Sequence, residues 1–102
     1  MGKLMDAMTE GYPDIARTFL AMRVAAGAAG PLSDRERELC MIAGLVSLQN
    51  REAMETHIER AARMGISQEE IVHAVLVNIG ISAVLSRVVT VIIWIDEWFA
   101  AE

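Results

Sequence analysis

Two side chains on neighbouring predicted helices could carry out chemistry together: a carboxylate, Glu38, and an imidazole, His57. Glu38 is the last charged residue before an apolar run, and His57 lies in the helix that follows. A carboxylate that hydrogen-bonds an imidazole fixes the tautomer of the ring, and the pair can then transfer a proton. We therefore take Glu38 and His57 as the candidate catalytic residues.

A short turn at Gln49 and Asn50 is what should bring these two side chains together. It predicts that the helices on either side, 33–48 and 51–64, form an antiparallel hairpin. At about 1.5 Å rise per residue, Glu38 lies about 17 Å from the turn along the first helix and His57 about 11 Å along the second. The two side chains can span that difference. Alternatively, both are solvated charges, because each lies in a strongly charged segment.

Three segments of the chain together resemble a known family. They are Leu32–Leu39, Asn50–His57 and Gly65–Ile71. In order and spacing they resemble the carboxymuconolactone decarboxylase and alkylhydroperoxidase D-like superfamily, whose members are small, all-helical and oligomeric. The resemblance extends from Pro13 to Ile79. The resemblance implies that this chain forms a homo-oligomer, either a trimer or a hexamer. It also implies that any reaction it catalyses uses no cofactor.

The resemblance also shows what this chain lacks. In redox members of the superfamily a Glu precedes a Cys-x-x-Cys-x-x-x-His segment, whose cysteines relay electrons to a peroxide. Glu38 and His57 match the Glu and the His, but Asn50 and Ala53 stand at the cysteine positions. Because a relay needs a thiolate and a resolving thiol, dithiol peroxidase activity of the peroxiredoxin type is disfavoured. Cys40 is predicted to be a small buried apolar residue; redox activity through it is an alternative.

Decarboxylase members of the superfamily lack the cysteine pair and keep the His, so they imply a different reaction. Loss of CO₂ from a carboxylated lactone needs a proton donor and cations for the carboxylates. Here His57 would transfer the proton, Arg51 or Arg87 would bind a carboxylate, and Asn50 would add an amide contact. A Tyr- and Gly-Pro-rich stretch of those members is replaced by Asn78–Ala83, so no particular substrate is predicted. The alternative is a non-catalytic oligomeric binding or scaffold protein of the same fold.

The composition limits the partners of the chain. Its 102 residues predict one domain of this family, 1–102, and 54% of them are hydrophobic, with a mean hydropathy of +0.36. A domain this small cannot hide so much apolar surface alone, which favours self-association over a monomer. The net charge of −5, without a Lys/Arg cluster, disfavours nucleic acid.

Neither a membrane span, nor a metal site, nor a secretory leader is predicted. The longest apolar stretch, residues 71–95, is interrupted by His73, Asn78 and Arg87, and such residues are costly inside a bilayer. His57 and His73 lie on separate helices, at the wrong spacing to ligate one metal. The first residues lack the apolar core of a signal peptide, so we expect a cytoplasmic protein.

The patterns of helix starts and stops predict an all-α fold of five or six helices. From Leu39 to Val46 the second predicted helix is apolar on all sides, which is typical of a central helix. The fourth helix should run to about Ile79, and the last from Ala83 to Phe99. The boundary signals are Pro13 in a first turn, two Ser-x-x-Glu capping boxes (Ser33–Glu36 and Ser67–Glu70), a left-handed cap at Gly65 and a break at Gly80 and Ser82.

Overall fold

The computed structural model of the chain describes residues Gly2 to Glu102, and Met1 lies outside the described residues. Within that range the predicted all-α fold is confirmed, because all regular secondary structure there is helical. The six helices of the described residues are α1 (Lys3–Gly11), α2 (Pro13–Ala28), α3 (Asp34–Leu45), α4 (Arg51–Arg63), α5 (Gln68–Leu76) and α6 (Leu85–Ala101).

The chain divides into two compact units, residues 1–32 and 33–102. In the first unit α1 packs against α2, and Ala16 is the buried residue among those described. Ile15, Phe19 and Met22 follow one another at helical spacing, yet their side chains are 39–63% exposed. This helix pair therefore has almost no apolar core of its own.

The second unit contains the core of the protein. There α3 packs on α4 and α5, and α6 packs on the same two helices. Each helix buries residues that recur every three or four positions, so that one stripe of its surface faces inward. The buried cluster consists of Ile42, Val46, Met54, Ile58, Ala61, Ile66, Ile71, Val75, Val88, Val91 and Ile95.

Both predicted capping boxes are confirmed. The backbone N–H of Glu36 donates to the Ser33 hydroxyl (3.1 Å), and the backbone N–H of Ser33 donates to the Glu36 carboxylate (2.8 Å). The hydrogen bonds from the backbone N–H and the hydroxyl of Ser33 lower the pKa of Glu36. Ser67 and Glu70 make the same pair of bonds at the start of α5, both at 3.1 Å. These boxes fix where α3 and α5 begin.

Backbone conformation sets the other predicted boundaries. Gly65, at φ 82°, ends α4 in the left-handed region that glycine adopts without a steric penalty, and Gly80, at φ 76°, lies in the break before α6. The fourth predicted helix ends three residues early, at Leu76. Its extension is replaced by a tight loop in which the carbonyl of Asn78 accepts hydrogen bonds from the backbone N–H groups of residues 81, 82 and 83.

The connection between α3 and α4 is short, and the two helices pack against each other, as the predicted hairpin requires. Gln49 takes a left-handed conformation (φ 53°) in this turn. Asn50 then caps α4, because its side-chain carbonyl accepts a hydrogen bond from the backbone N–H of Ala53 at 3.1 Å. The turn and the cap together fix the register of α3 against α4.

One prediction about α3 is wrong: the helix is not enclosed on all sides, and Cys40 is exposed rather than buried. Glu38, Ile42 and Val46 recur every four residues and face the core. Cys40 lies about 200° around the helix from Glu38, and Gly44 shares its outward face. An apolar sequence on every side therefore did not mean burial on every side in the single chain.

None of the helices in residues 2–102 combines the length with the apolar character that crossing a bilayer requires.

Candidate functional site: a buried carboxylate and an imidazole

Among the described residues, Glu38 is the one charged side chain that is buried, with 1% of it exposed. It lies on the inward stripe of α3, one turn before Ile42. Removing a carboxylate from water is costly unless its oxygens are hydrogen-bonded and its charge is paired. Glu38 therefore depends on partners, and both come from α4.

The first partner is His57, whose ring Nδ1 lies 2.6 Å from Oε1 of Glu38. His57 is 12% exposed and lies on α4 among the buried residues Met54, Ile58 and Ala61. An ionised carboxylate can only accept hydrogen bonds, so Nδ1 donates its proton to Glu38. In the neutral ring this leaves the lone pair on Nε2, at the edge of the imidazole away from Glu38.

The second partner is Arg60, which the sequence reasoning missed. Its Nη1 lies 3.7 Å from Oε2 of Glu38, and 45% of its side chain is exposed. Arg60 follows His57 by three residues on α4, so both side chains share one face of the helix. That spacing was the signal available in the sequence: a cation one turn beyond the histidine points towards the same carboxylate.

The structure thus brings together the two predicted catalytic residues, but the predicted substrate-binding residues have other contacts. Asn50 caps α4 through its side-chain carbonyl. Arg87 donates from Nη1 to the backbone carbonyl of Ser47 at 3.2 Å. It also lines an open depression formed with Ser47 and residues 80–84, and neither Glu38 nor His57 belongs to that lining.

Arg51 is held by three neighbours. Its Nε donates to Glu55 at 2.7 Å and its Nη2 to Glu97 at 2.8 Å, and both bonds raise its pKa. Its guanidinium also lies over the ring of Trp94, 5.7 Å from the centroid. Arg51 therefore links the start of α4 to α6, and these contacts pair its charge with two carboxylates and use two of its five N–H donors.

The chemistry that this arrangement can perform is proton transfer at Nε2 of His57. Glu38 holds the ring in one tautomer and orientation, and the His57 side chain stays 12% exposed, so it is not sealed from a reacting molecule. In residues 2–102 no group of three His, Cys, Asp or Glu side chains is placed to hold a metal ion. Cys40 lies on the outward face of α3, turned away from the pair.

Replacing His57 by Ala tests the contact with Glu38. We expect His57→Ala to lower the free energy of unfolding by about 1–3 kcal/mol, because an acceptor oxygen of the buried carboxylate loses its donor. His73 is an exposed histidine on α5, so His73→Ala should change stability by less than about 0.5 kcal/mol. Urea denaturation of both variants measures the difference, and equal stability of the two would contradict the contact.

Comparison with known proteins agrees with the resemblance carried by the sequence. The model of the carboxymuconolactone decarboxylase family matches residues 13–92. No curated protein and no solved structure is significantly similar to the chain. The family match includes the whole of α2 to α5 and the first eight residues of α6, with Glu38, His57 and Arg60 inside it. On this evidence the chain belongs to the carboxymuconolactone decarboxylase family.

Proposed function

We propose that this protein is a cofactor-free enzyme that transfers a proton on a small carboxylated or lactone-like molecule, with decarboxylation as the reaction type. The observation that supports this most is the 2.6 Å contact between Glu38 and His57, in which a buried carboxylate orients a partly exposed imidazole. In this proposal Glu38 positions the ring and His57 is the catalytic residue.

The reaction needs only a proton donor once the carboxylate is bound. When the bond between carbon and the carboxylate breaks, CO₂ leaves and the electron pair stays on the carbon, where a neighbouring lactone carbonyl can delocalise it. The protonated ring of His57 transfers its Nε2 proton to that carbon, which leaves the neutral ring with a bare Nε2, and the ring then regains a proton from water. Throughout these steps Nδ1 keeps its hydrogen bond to Glu38, which stabilises the protonated ring electrostatically.

Peroxide reduction by two cysteines does not fit this chain. The positions that hold the cysteines in redox relatives are Asn50 and Ala53, and Asn50 serves as a helix cap. Cys40 is the single cysteine of the sequence, so no intramolecular thiol can resolve an oxidised Cys40.

A second candidate function is a non-catalytic oligomeric binding or scaffold protein. The observation that favours it is the engagement of the predicted substrate-binding residues. Arg51 is paired with Glu55 and Glu97, and Asn50 caps a helix. If Arg51 and Asn50 serve only to hold the helices together, the chain has kept the fold of the family and lost the substrate site.

A panel of small carboxylated γ-lactones in D₂O separates the two candidates. NMR follows CO₂ loss and the exchange of carbon-bound hydrogen for deuterium, which reports proton transfer directly. We expect turnover in the natural chain, a fall of about 10²- to 10⁴-fold in His57→Ala, and no change in His73→Ala. Full turnover by His57→Ala would contradict the proposed enzyme. No turnover of any panel member by the natural chain would favour the scaffold.

We also propose that the chain self-associates through one face of α6, the α6 stripe, defined by Leu85, Val89 and Ile93. These side chains are 43–61% exposed and follow one another every four residues, about 130° around the helix from the buried stripe of α6. No member of the stripe is charged. In a twofold dimer the same stripe would meet itself, so a second copy offers an apolar surface that matches it without a separate partner.

The α6 stripe can be tested by introducing a charge at its centre. Val89→Glu would place a carboxylate opposite its own copy, so we expect the molar mass in solution to fall from that of an oligomer to that of one 11.2 kDa chain. Ala101→Glu is the control, because Ala101 is exposed at the end of α6, about 120° around the helix from Val89. Light scattering that finds the natural chain monomeric, or Val89→Glu unchanged in mass, would contradict the proposal.

A further inference from the structure

Arg60 differs from the other arginines of α3 and α4 in the partner that it contacts. Each of the others lies close to a carboxylate that is itself at least 40% exposed. Arg60 instead faces the buried carboxylate of Glu38, at 3.7 Å. The arginines compared are Arg35, Arg37, Arg51 and Arg63.

The distance between Arg60 and Glu38 leaves the guanidinium with donors to spare. A normal N–H···O bond spans about 2.7–3.2 Å, so 3.7 Å is an electrostatic contact without a full hydrogen bond. Within residues 2–102 the Arg60 side chain makes no closer contact with a carboxylate. Its five N–H groups can therefore serve an incoming acceptor while its charge still faces Glu38.

Arg60 also lies where an anionic substrate needs a cation. It shares a face of α4 with His57, whose side chain is 12% exposed and whose Nε2 lies on the edge of the ring away from Glu38. A substrate carboxylate that approaches this edge meets the negative charge of Glu38 behind the ring. Arg60 offsets that charge, and its planar fork matches the two oxygens of a carboxylate. Arg51, by contrast, already binds two glutamates.

We propose that Arg60 binds the substrate carboxylate beside His57 and so makes this site specific for anions. The proposal rests on the function proposed above, since it names the residue that holds the molecule on which His57 acts. It replaces Arg51 and Arg87 as the candidate anchor with a residue that touches the catalytic pair.

Binding of two matched probes tests the role of Arg60 without any need for turnover. The probes are 5-oxotetrahydrofuran-2-carboxylate and its uncharged primary amide, titrated into the labelled protein and followed by NMR. We expect the natural chain to bind the carboxylate more tightly than the amide. Arg60→Gln should weaken carboxylate binding by about 10- to 100-fold and leave the amide unchanged. Arg63→Gln, which replaces an exposed arginine three residues further along α4 that pairs with Glu59, should leave both unchanged.

Arg60→Lys is the control for unfolding, because it keeps a positive charge beside Glu38 and removes only the planar guanidinium group. Carboxylate binding should weaken in this variant as well. Unchanged carboxylate affinity in Arg60→Lys or Arg60→Gln, equal weakening of both probes, or no preference for the carboxylate in the natural chain would each overturn the proposal.

The binding assay also separates this proposal from the function on which it rests. If Arg60→Gln loses the carboxylate preference while His57→Ala keeps full turnover, the anchor stands and the proposed enzyme mechanism fails. If His57→Ala loses turnover while Arg60→Gln binds the carboxylate as the natural chain does, the mechanism stands and the anchor fails.

Discussion

The site depends on one electrostatic requirement: the carboxylate of Glu38 is inside the core and has to be paired there. A buried charge without partners would destabilise the fold, so the structure must place donors within reach of both oxygens. His57 meets one oxygen at 2.6 Å and Arg60 approaches the other at 3.7 Å. The same pairing that makes the carboxylate tolerable also fixes the orientation of the imidazole. Stability and proton chemistry thus come from one set of contacts.

The rest of the second unit keeps α3 and α4 in the register that this pairing needs. Asn50 starts α4 at a defined residue, and Gln49 donates from its side chain to the carbonyls of Val46 and Arg87. These bonds tie the turn between α3 and α4 to the start of α6. Arg51 ties the first turn of α4 to α6 through Glu97. Residues that looked like substrate ligands are thus used to hold the helices that carry the site.

Much of this could be predicted from the sequence, because it depends on local patterns. The Ser33 and Ser67 capping boxes and the Gly65 cap need only residues within one turn, and the starts of α3 and α5 and the end of α4 follow from them. A short turn and the rise of a helix predicted that Glu38 and His57 lie within reach of each other, but the alternative of two solvated side chains was decided only by the structure. The early end of α5 could not be predicted in this way. The backbone carbonyl of Asn78 accepts hydrogen bonds within the loop that follows, and the spacing of apolar residues in the sequence does not indicate such bonds.

Side-chain partners across helices were harder to predict. Whether Cys40 faces the core depends on which side of α3 the other helices cover, and an all-apolar segment does not indicate a side. Arg51 and Arg87 were chosen for their charge alone, but Glu97 and the carbonyl of Ser47 reach them from distant parts of the chain. Arg60 was missed because its charge could not be told from the solvated charges around it until Glu38 was placed beside it.

The tautomer of His57 tests the central claim most directly. If Glu38 is ionised and holds Nδ1 at 2.6 Å, the neutral ring must carry its proton on Nδ1 and leave Nε2 bare. Long-range ¹H–¹⁵N correlation spectra of the labelled protein, recorded where the ring is neutral, distinguish the two nitrogens. A protonated Nδ1 with an unprotonated Nε2 is the predicted result. A proton on Nε2 would contradict it, because Nδ1 could not then donate to the carboxylate.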